Sequence, residues 1–402
     1  MLAKKATRRV TMESVKDNGR VVYVGVNDRA VDLFEGMYVV PNGVSYNSYI
    51  ILGKKTVVMD TVDHRFAAEW LGNIKRALFA ADVRPDYLVV SHMEPDHSGS
   101  IAEFMRIFPD VKIVGNSKTF VMLAEYFPEL DAEKKPERFV AVKDGDALDL
   151  GDGELKFIFA PMVHWPEVMV AFDTADGTLY SADGFGKFGA LDRDEPWDDE
   201  ARRYYIGIVG KYGAQVQALF KKLDGLAIET IRPLHGPVLS GDLGHYLGLY
   251  DKWSSYTPES DGVMIAYTSV YGHTKKAALA LKRKLDAAGT ECEIFDLARA
   301  DRAECVAKAF KYGKLVLATT TYNGEVFPAM REFIYWLTER NYQNRKVALI
   351  ENGTWAPVAA KAMQTMLEKC KGIEYVCEPI KIRAAANAET DAALDALASA
   401  LA

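Results

Sequence analysis

The sequence predicts a two-domain chain of mixed α/β and α+β class, an αββα sandwich followed by a doubly wound parallel sheet. Three observations carry this. A chain of 402 residues is too long for one hydrophobic core. Its first two-thirds is dense in short β-rich runs with helical patterns only between some of them. Its last third alternates strictly between apolar runs and helical patterns, as a parallel sheet with crossover helices requires.

In the first part the runs RVVYVGV, SYNSYIIL, KTVVMDT, DYLVVSH and KIVGN lie between Asn18 and Asn116, with a helical pattern over Phe66 to Ala81. ELKFIFAP, EVMVAFD and GTLYSAD continue the series with Gly and Asp turns, and helical periodicity returns from Asp198 to Leu223. The turn-rich TPESDG, Thr257 to Gly262, sets the boundary and gives domains 1–258 and 259–402. Beyond it VMIAY, ECEIFDL, KLVLATT and KVALIEN are each followed by a helical pattern, starting near Thr274, Arg302, Pro328 and Pro357. EYVCEPIKI then precedes an Ala-rich tail with Leu394, Leu397 and Leu401 on one helical face.

With 49% hydrophobic and 26% charged residues the chain has the balance of a globular enzyme. A net charge of -7 argues against nucleic acid or an anionic membrane as main partner, since the average field repels both. No apolar run reaches the roughly 18 residues of a membrane span. The start MLAKKATRRVTM is basic but has no apolar stretch behind it, so no signal peptide is expected and the location is cytoplasmic. Cys292, Cys305, Cys370 and Cys377 form no CxxC pair, which speaks against a cysteine metal site or a rubredoxin-type centre within the chain.

SHMEPDHSGS carries the strongest chemical signal: His92, Glu94, Asp96 and His97 fall within six residues after the apolar run DYLVV. A strand end feeding a tight loop can aim side chains at i, i+2 and i+4 toward one point. A polar loop with chance histidines would lack further partners, yet His164 in PMVHWPE, Asp183 in YSADGFG and His235 in RPLHGP each follow another apolar run. Carboxylates among imidazoles favour iron or manganese over zinc. The run HxExDH followed by a His, an Asp and a His resembles the ligand set of the flavodiiron proteins, which have the metallo-β-lactamase fold with Glu where zinc hydrolases usually have a second His. The resemblance implies one iron on His92, Glu94, His164 and Asp183, and a second on Asp96, His97, Asp183 and His235, with Asp183 bridging. Asp60 in VVMDT is either a structural strand-end aspartate or a turn residue, and Tyr204 and Tyr205 either line the pocket or belong to the core. His64 and His245 read as ordinary surface or satisfied histidines.

Thr268, Ser269, Val270, Tyr271, Gly272, His273 and Thr274 join the first strand of the second domain to its first helix, where backbone N–H groups can receive a phosphate. Thr319, Thr320, Thr321, Tyr322, Asn323 and Gly324 follow the third strand, and Asn352, Gly353, Thr354 and Trp355 the fourth. Both loops set an aromatic beside small polar residues, suited to a flat ring with a polar rim. TSVYGHT and TTTYN resemble the FMN loops of flavodoxins, and together with the metal motif they cover nearly the whole chain in flavodiiron order. The resemblance implies FMN and a di-iron site, and reduction of dioxygen to water and/or nitric oxide to nitrous oxide. It further implies a separate donor such as rubredoxin and a head-to-tail homodimer or dimer of dimers. The rival is a zinc hydrolase with a passive flavodoxin-like appendage, which Glu94 and the set of three loops oppose.

Overall fold

The computed structural model describes residues 19–402; the basic start, Met1 to Met12, lies outside them. The chain forms two compact units, one of 1–204 with 214–247 and one of 205–213 with 248–402.

The first unit contains two six-stranded sheets. One runs in the order Val21–Tyr23, Tyr49–Ile51, Val57–Met59, Tyr87–Val89, Lys112–Gly115 and Phe139–Ala141. The other is built from consecutive strands, Ala147–Asp149, Glu154–Phe159, Met169–Asp173, Thr178–Tyr180, Thr230–Arg232 and Leu239–Ser240. Ile51, Val57, Met59 and Val89 of the first share one buried cluster with Phe157, Met169, Ala171 and Tyr180 of the second, so the sheets pack face to face as the sequence pattern predicts.

Val57–Met59 and Tyr87–Val89 are parallel neighbours and therefore need a crossover. Ala67–Ala81 supplies it, burying Trp70, Leu71, Ile74 and Leu78 on one face and ending at Asp82 in the left-handed conformation. Thr178–Tyr180 and Thr230–Arg232 are likewise parallel, and the crossover between them includes Trp197–Tyr204 and Gly213–Leu223. The helices expected near Asp198 to Leu223 are thus joined through a π turn, Tyr205–Val209, and a 3-10 turn, Gly210–Tyr212. Three glycines in seven residues, Gly207, Gly210 and Gly213, weaken α geometry there.

In the second unit the strands are ordered Cys292–Asp296, Ser260–Tyr267, Tyr312–Tyr322, Arg345–Asn352 and Ile373–Tyr375, all parallel. This is the 2-1-3-4-5 order of a flavodoxin-like sheet, with its reversal between Ser260–Tyr267 and Tyr312–Tyr322. EYVCEPIKI does not form one strand: Ile373–Tyr375 and Ile380–Ile382 pair separately with Arg345–Asn352, because Pro379 has no N–H to continue a ladder. The tail forms the helix Ala388–Leu401, which buries Leu394, Leu397 and Leu401 in the same core as Val263 and Ile265. Among the described residues no helix is long and apolar enough to cross a membrane.

Candidate metal centre and cofactor loops

The local fold of HMEPDH follows from Pro95. A residue before proline is pushed out of the α region, and Glu94 has φ -58° and ψ 137°. The chain therefore runs extended through His92 and Glu94, placing both side chains on one side, and then turns into the short helix Pro95–Ser98 with Asp96 in its first turn. One hexapeptide thereby feeds two adjoining clusters.

In the first cluster His92 Nε2 lies 3.2 Å from Glu94 Oε2 and 3.3 Å from His164 Nε2, while His164 Nε2 lies 3.0 Å from the same Glu94 oxygen and 3.1 Å from Asp183 Oδ2. In the second, His97 Nε2 is 3.0 Å from His235 Nε2, 3.4 Å from Asp96 Oδ2 and 3.2 Å from Asp183 Oδ1. His235 Nε2 is 3.3 Å from Asp96 Oδ2. The structure thus brings together all seven residues singled out in the sequence. Asp183 faces one cluster with each of its carboxylate oxygens.

The rings are held from behind. Glu167 Oε1 sits 2.8 Å from His92 Nδ1 and accepts the Met93 N–H at 2.8 Å. The Ser45 carbonyl can only accept, so His235 Nδ1 donates to it at 2.7 Å and Nε2 is the atom presented to the cluster. Asp60 is buried, with φ 53°, and accepts from Ser91 N at 2.7 Å and Ser91 Oγ at 2.6 Å. It fixes the strand end that launches His92, the structural role rather than a plain turn. Tyr204 lies against His235, with ring centroids 5.4 Å apart, whereas Tyr205 packs on Tyr250 and Trp253. His64 is exposed and His245 pairs with Asp198 at the surface.

Electrostatics explain what the metal-free cluster holds. Burial works against charge on the imidazoles, but Asp183, Glu167 and Glu94 outweigh it and raise His92 well above its ordinary value. For His164 burial is likewise overcome, by Asp183 and Glu94, and the ring is pushed up to about 9. Burial alone would raise Glu94 and Asp183, yet the facing histidines hold both carboxyls low. Without metal, protons do the bridging. Even so the pattern is incomplete: Asp183 Oδ1 and Asp96 Oδ2 are approached by His97 and His235 Nε2 at 3.2 and 3.3 Å without a well-aligned hydrogen bond, Asp96 Oδ1 is likewise buried without one, and the Nε2 atoms face one another in pairs. Converging lone pairs that lack donors fit a cation in each cluster. A donor set of imidazole and carboxylate without thiolate fits iron.

Two residues of this site escaped the sequence reading. Glu167 closes the segment PMVHWPE that carries His164, but nothing in spacing tells a carboxylate behind a ring from a surface one. Glu35 sits with Gly36 at the tip of the hairpin Leu33–Phe34 and Tyr38–Val39, both at positive φ. Its carboxyl hydrogen-bonds to Glu94, and desolvation together with the charge of Glu94 lifts it to about 7.

In the second unit the three predicted loops meet at the carboxyl ends of the strands. Thr268 and Thr319 are buried and share a 2.6 Å hydrogen bond across the reversal point. Thr320 Oγ1 donates to the Asn352 carbonyl, and Thr321 Oγ1 accepts from Val358 N and Ala359 N, capping the helix Ala359–Leu367. These hydroxyls tie the loops together. Gly272, at φ 87°, precedes the helix His273–Ala287 without a side-chain cap, so the first-turn N–H groups lack a partner of the kind a phosphate supplies. Asn323 and Gly324, both at positive φ, close the hairpin between Tyr312–Tyr322 and Glu325–Val326. Tyr271, Tyr322 and Trp355 are 90%, 45% and 82% exposed. Large aromatics left in solvent around one crevice fit a flat ring system.

A family model described as ODP family beta lactamase matches residues 44–236, and one described as flavodoxin matches residues 265–396. The anaerobic nitric oxide reductase flavorubredoxins of Salmonella typhi and Escherichia coli O1:K1 / APEC are each 30% identical over 370 residues, covering 88% of this chain and 74% of theirs. The rubredoxin oxygen:oxidoreductase of Desulfovibrio gigas shares the fold with a TM-score of 0.86 at 24% identity, over 96% of this chain and 97% of that one. The flavodiiron protein of Giardia intestinalis superposes with a TM-score of 0.82 at 24% identity, over 98% of each chain. The two domain matches in this order, and relatives of this identity over most of both chains, place the chain in the flavodiiron protein family.

Proposed function

We propose that the chain reduces nitric oxide to nitrous oxide and/or dioxygen to water at a non-haem di-iron site, with electrons passed through FMN from a separate carrier such as rubredoxin. His92, Glu94, His164 and Asp183 hold one iron and Asp96, His97, Asp183 and His235 the other. The observation that carries this is the position of Asp183, with Oδ2 at 3.1 Å from His164 Nε2 and Oδ1 at 3.2 Å from His97 Nε2. One carboxylate serving two clusters is what an adjacent metal pair needs, and a lone zinc does not. When bound, the iron pair and the flavin supply stored electrons for a small acceptor.

The residues of the chain do the rest. Glu167 and the Ser45 carbonyl fix the tautomers of His92 and His235, so both rings present Nε2. Three carboxylates offset most of the charge of a ferrous pair and make its burial tolerable. The hydrogen bond of Glu35 to Glu94 places a carboxyl that can hold a proton at the edge of the site, and both reductions consume protons. In the second unit the FMN phosphate is taken by Thr268 to Thr274, while Tyr322 and Trp355 flank the ring.

The assembly is a head-to-tail homodimer or a dimer of dimers. Leu33, Met37 and Val39 are each about half exposed on the Glu35 hairpin, an apolar rim suited to a second chain. Anaerobic purification, iron and FMN analysis, and stopped-flow reoxidation of the reduced protein by each gas test the reading. About two irons and one FMN per chain with rapid reoxidation are expected. Zinc in place of iron, or a reduced flavin that neither gas reoxidises, would overturn it.

A further inference from the structure

We propose that the first unit carries a second binding site, for a small organic anion with a carboxylate or phosphate head and an apolar body. It lies between the helix Ile101–Ile107 and the segment from Glu129 to Arg138, in a cavity of about 400 Å³.

Arg106, Lys135 and Arg138 line it, with Glu103 and Glu129 also on its wall, which leaves one positive charge in excess. Among the described residues none of the three cations has a carboxylate within ion-pair distance, unlike Lys134 beside them, which pairs with Asp131 at 2.8 Å. Arg138 is the decisive member. Its Nε and Nη2 are shielded from solvent and have no hydrogen-bond acceptor. These two nitrogens form one edge of the guanidinium, the fork that takes two oxygens of a carboxylate or phosphate side by side. A guanidinium does not escape by losing its proton, so a covered fork without acceptors is a standing cost. An anion seated in the cavity removes it once the side chain turns its fork, covered in this structure, toward the open space.

The rest of the lining describes the ligand body. Met105 and Leu130 are buried beside the cations, so one wall is apolar and the space exceeds that of a bare phosphate or acetate. Inorganic ions alone would leave this wall wet. None of these side chains belongs to the metal clusters or the cofactor loops.

Phenyl phosphate and benzoate are suitable probes, with benzamide as the uncharged control, titrated calorimetrically into the full-length chain loaded with iron and FMN. Saturable binding of at least one anion is expected, with no binding of benzamide and a rise in Tm with anion concentration. The stronger of the two anions identifies the head group. Arg138→Gln should weaken binding about tenfold or more, and Arg138→Lys, which keeps charge but loses the fork, by a similar factor. Iron and FMN content should stay unchanged. Should Arg138 variants fail to fold, Arg106→Gln and Lys135→Gln at exposed positions should each weaken binding by roughly threefold in a salt-sensitive way. Absence of saturable binding by either anion, equal binding of benzamide, or full affinity in the charge-neutralised variants would overturn the assignment.

Discussion

Replacing Glu167 by Gln isolates what holds the first metal cluster in place. Glu167 Oε1 accepts from the Met93 N–H and lies 2.8 Å from His92 Nδ1, while Oε2 has no donor. Gln fits the same space and can keep both contacts through its carbonyl oxygen. It loses the charge, and its amide nitrogen then occupies the position of Oε2 as a buried donor without an acceptor. A charge-assisted hydrogen bond is worth about 1.5–3 kcal/mol, and loss of such a support typically lowers metal affinity about 10–100-fold, or about 1.4–2.8 kcal/mol. Two effects oppose each other. Without the carboxylate His92 is a weaker base toward a metal, but it also binds the competing proton less tightly. Orientation decides the balance, since a neutral amide oxygen holds the Nδ1–H of His92 less firmly than a carboxylate does at every pH. The effect is confined to one cluster, because His235 depends on the Ser45 carbonyl instead. Titration of the metal-free protein with ferrous iron or cobalt against a chelator should resolve two binding steps, of which the variant weakens one. Equal weakening of both steps would mean a global loss of stability, and two unchanged steps would mean that Glu167 does not position His92; either refutes the argument.

Three other outcomes follow from the same geometry. In the metal-free protein His164 titrates at about 9 against 6.5 unfolded; its contribution, about 3 kcal/mol at most, is full below pH 6.5 and lost as pH rises through 9. Denaturant midpoints of the apo form should therefore fall over that window, and a flat profile contradicts the assignment. Lys187 is buried with Nζ 2.8 Å from Glu195 Oε1, and Glu195 Oε2 accepts from Asn42 Nδ2, a link between the loop after Asp183 and the segment before Ser45. Lys187→Met should cost about 2–4 kcal/mol in chemical denaturation by stranding Glu195, with much of it recovered in a double variant with Glu195→Leu; no recovery would show that the pair is not the reason. Trp355→Ala should weaken FMN retention by about threefold to tenfold, from an aromatic contact of about 0.5–1.5 kcal/mol, read by fluorescence titration of the deflavinated protein, and unchanged retention would place the flavin elsewhere.

How far the sequence carried differs between the two units. Strict alternation in the second revealed the parallel sheet and its loops, since each βα unit is local and its period is unmistakable. In the first unit the apolar runs marked the sheets, but Pro95–Ser98, Ile101–Ile107 and Ser117–Tyr126 are helices too short for periodicity to declare. The broken crossover at Tyr205–Val209 was hidden because its glycines are compatible with helix and bend alike. Tyr204 and Tyr205, adjacent and alike in sequence, go to different surroundings, one against His235 and the other against Trp253. Period alone does not decide between neighbours on a helix that changes its winding.

What the sequence determined by itself is the chemistry of the site: the donor atoms of His92, Glu94, Asp96, His97, His164, Asp183 and His235, and their placement at strand ends. Such information is local, set by residue type and by the chain geometry of a few residues on either side. What only the tertiary structure decided is which atoms meet. The division of Asp183 between two clusters, the support of His92 by Glu167 75 residues away and of His235 by Ser45 190 residues away, and the reach of Glu35 to Glu94 all depend on sheet order and hairpin position. Those are fixed by burial of the two sheet faces against each other, a collective property of the whole core that no short segment records.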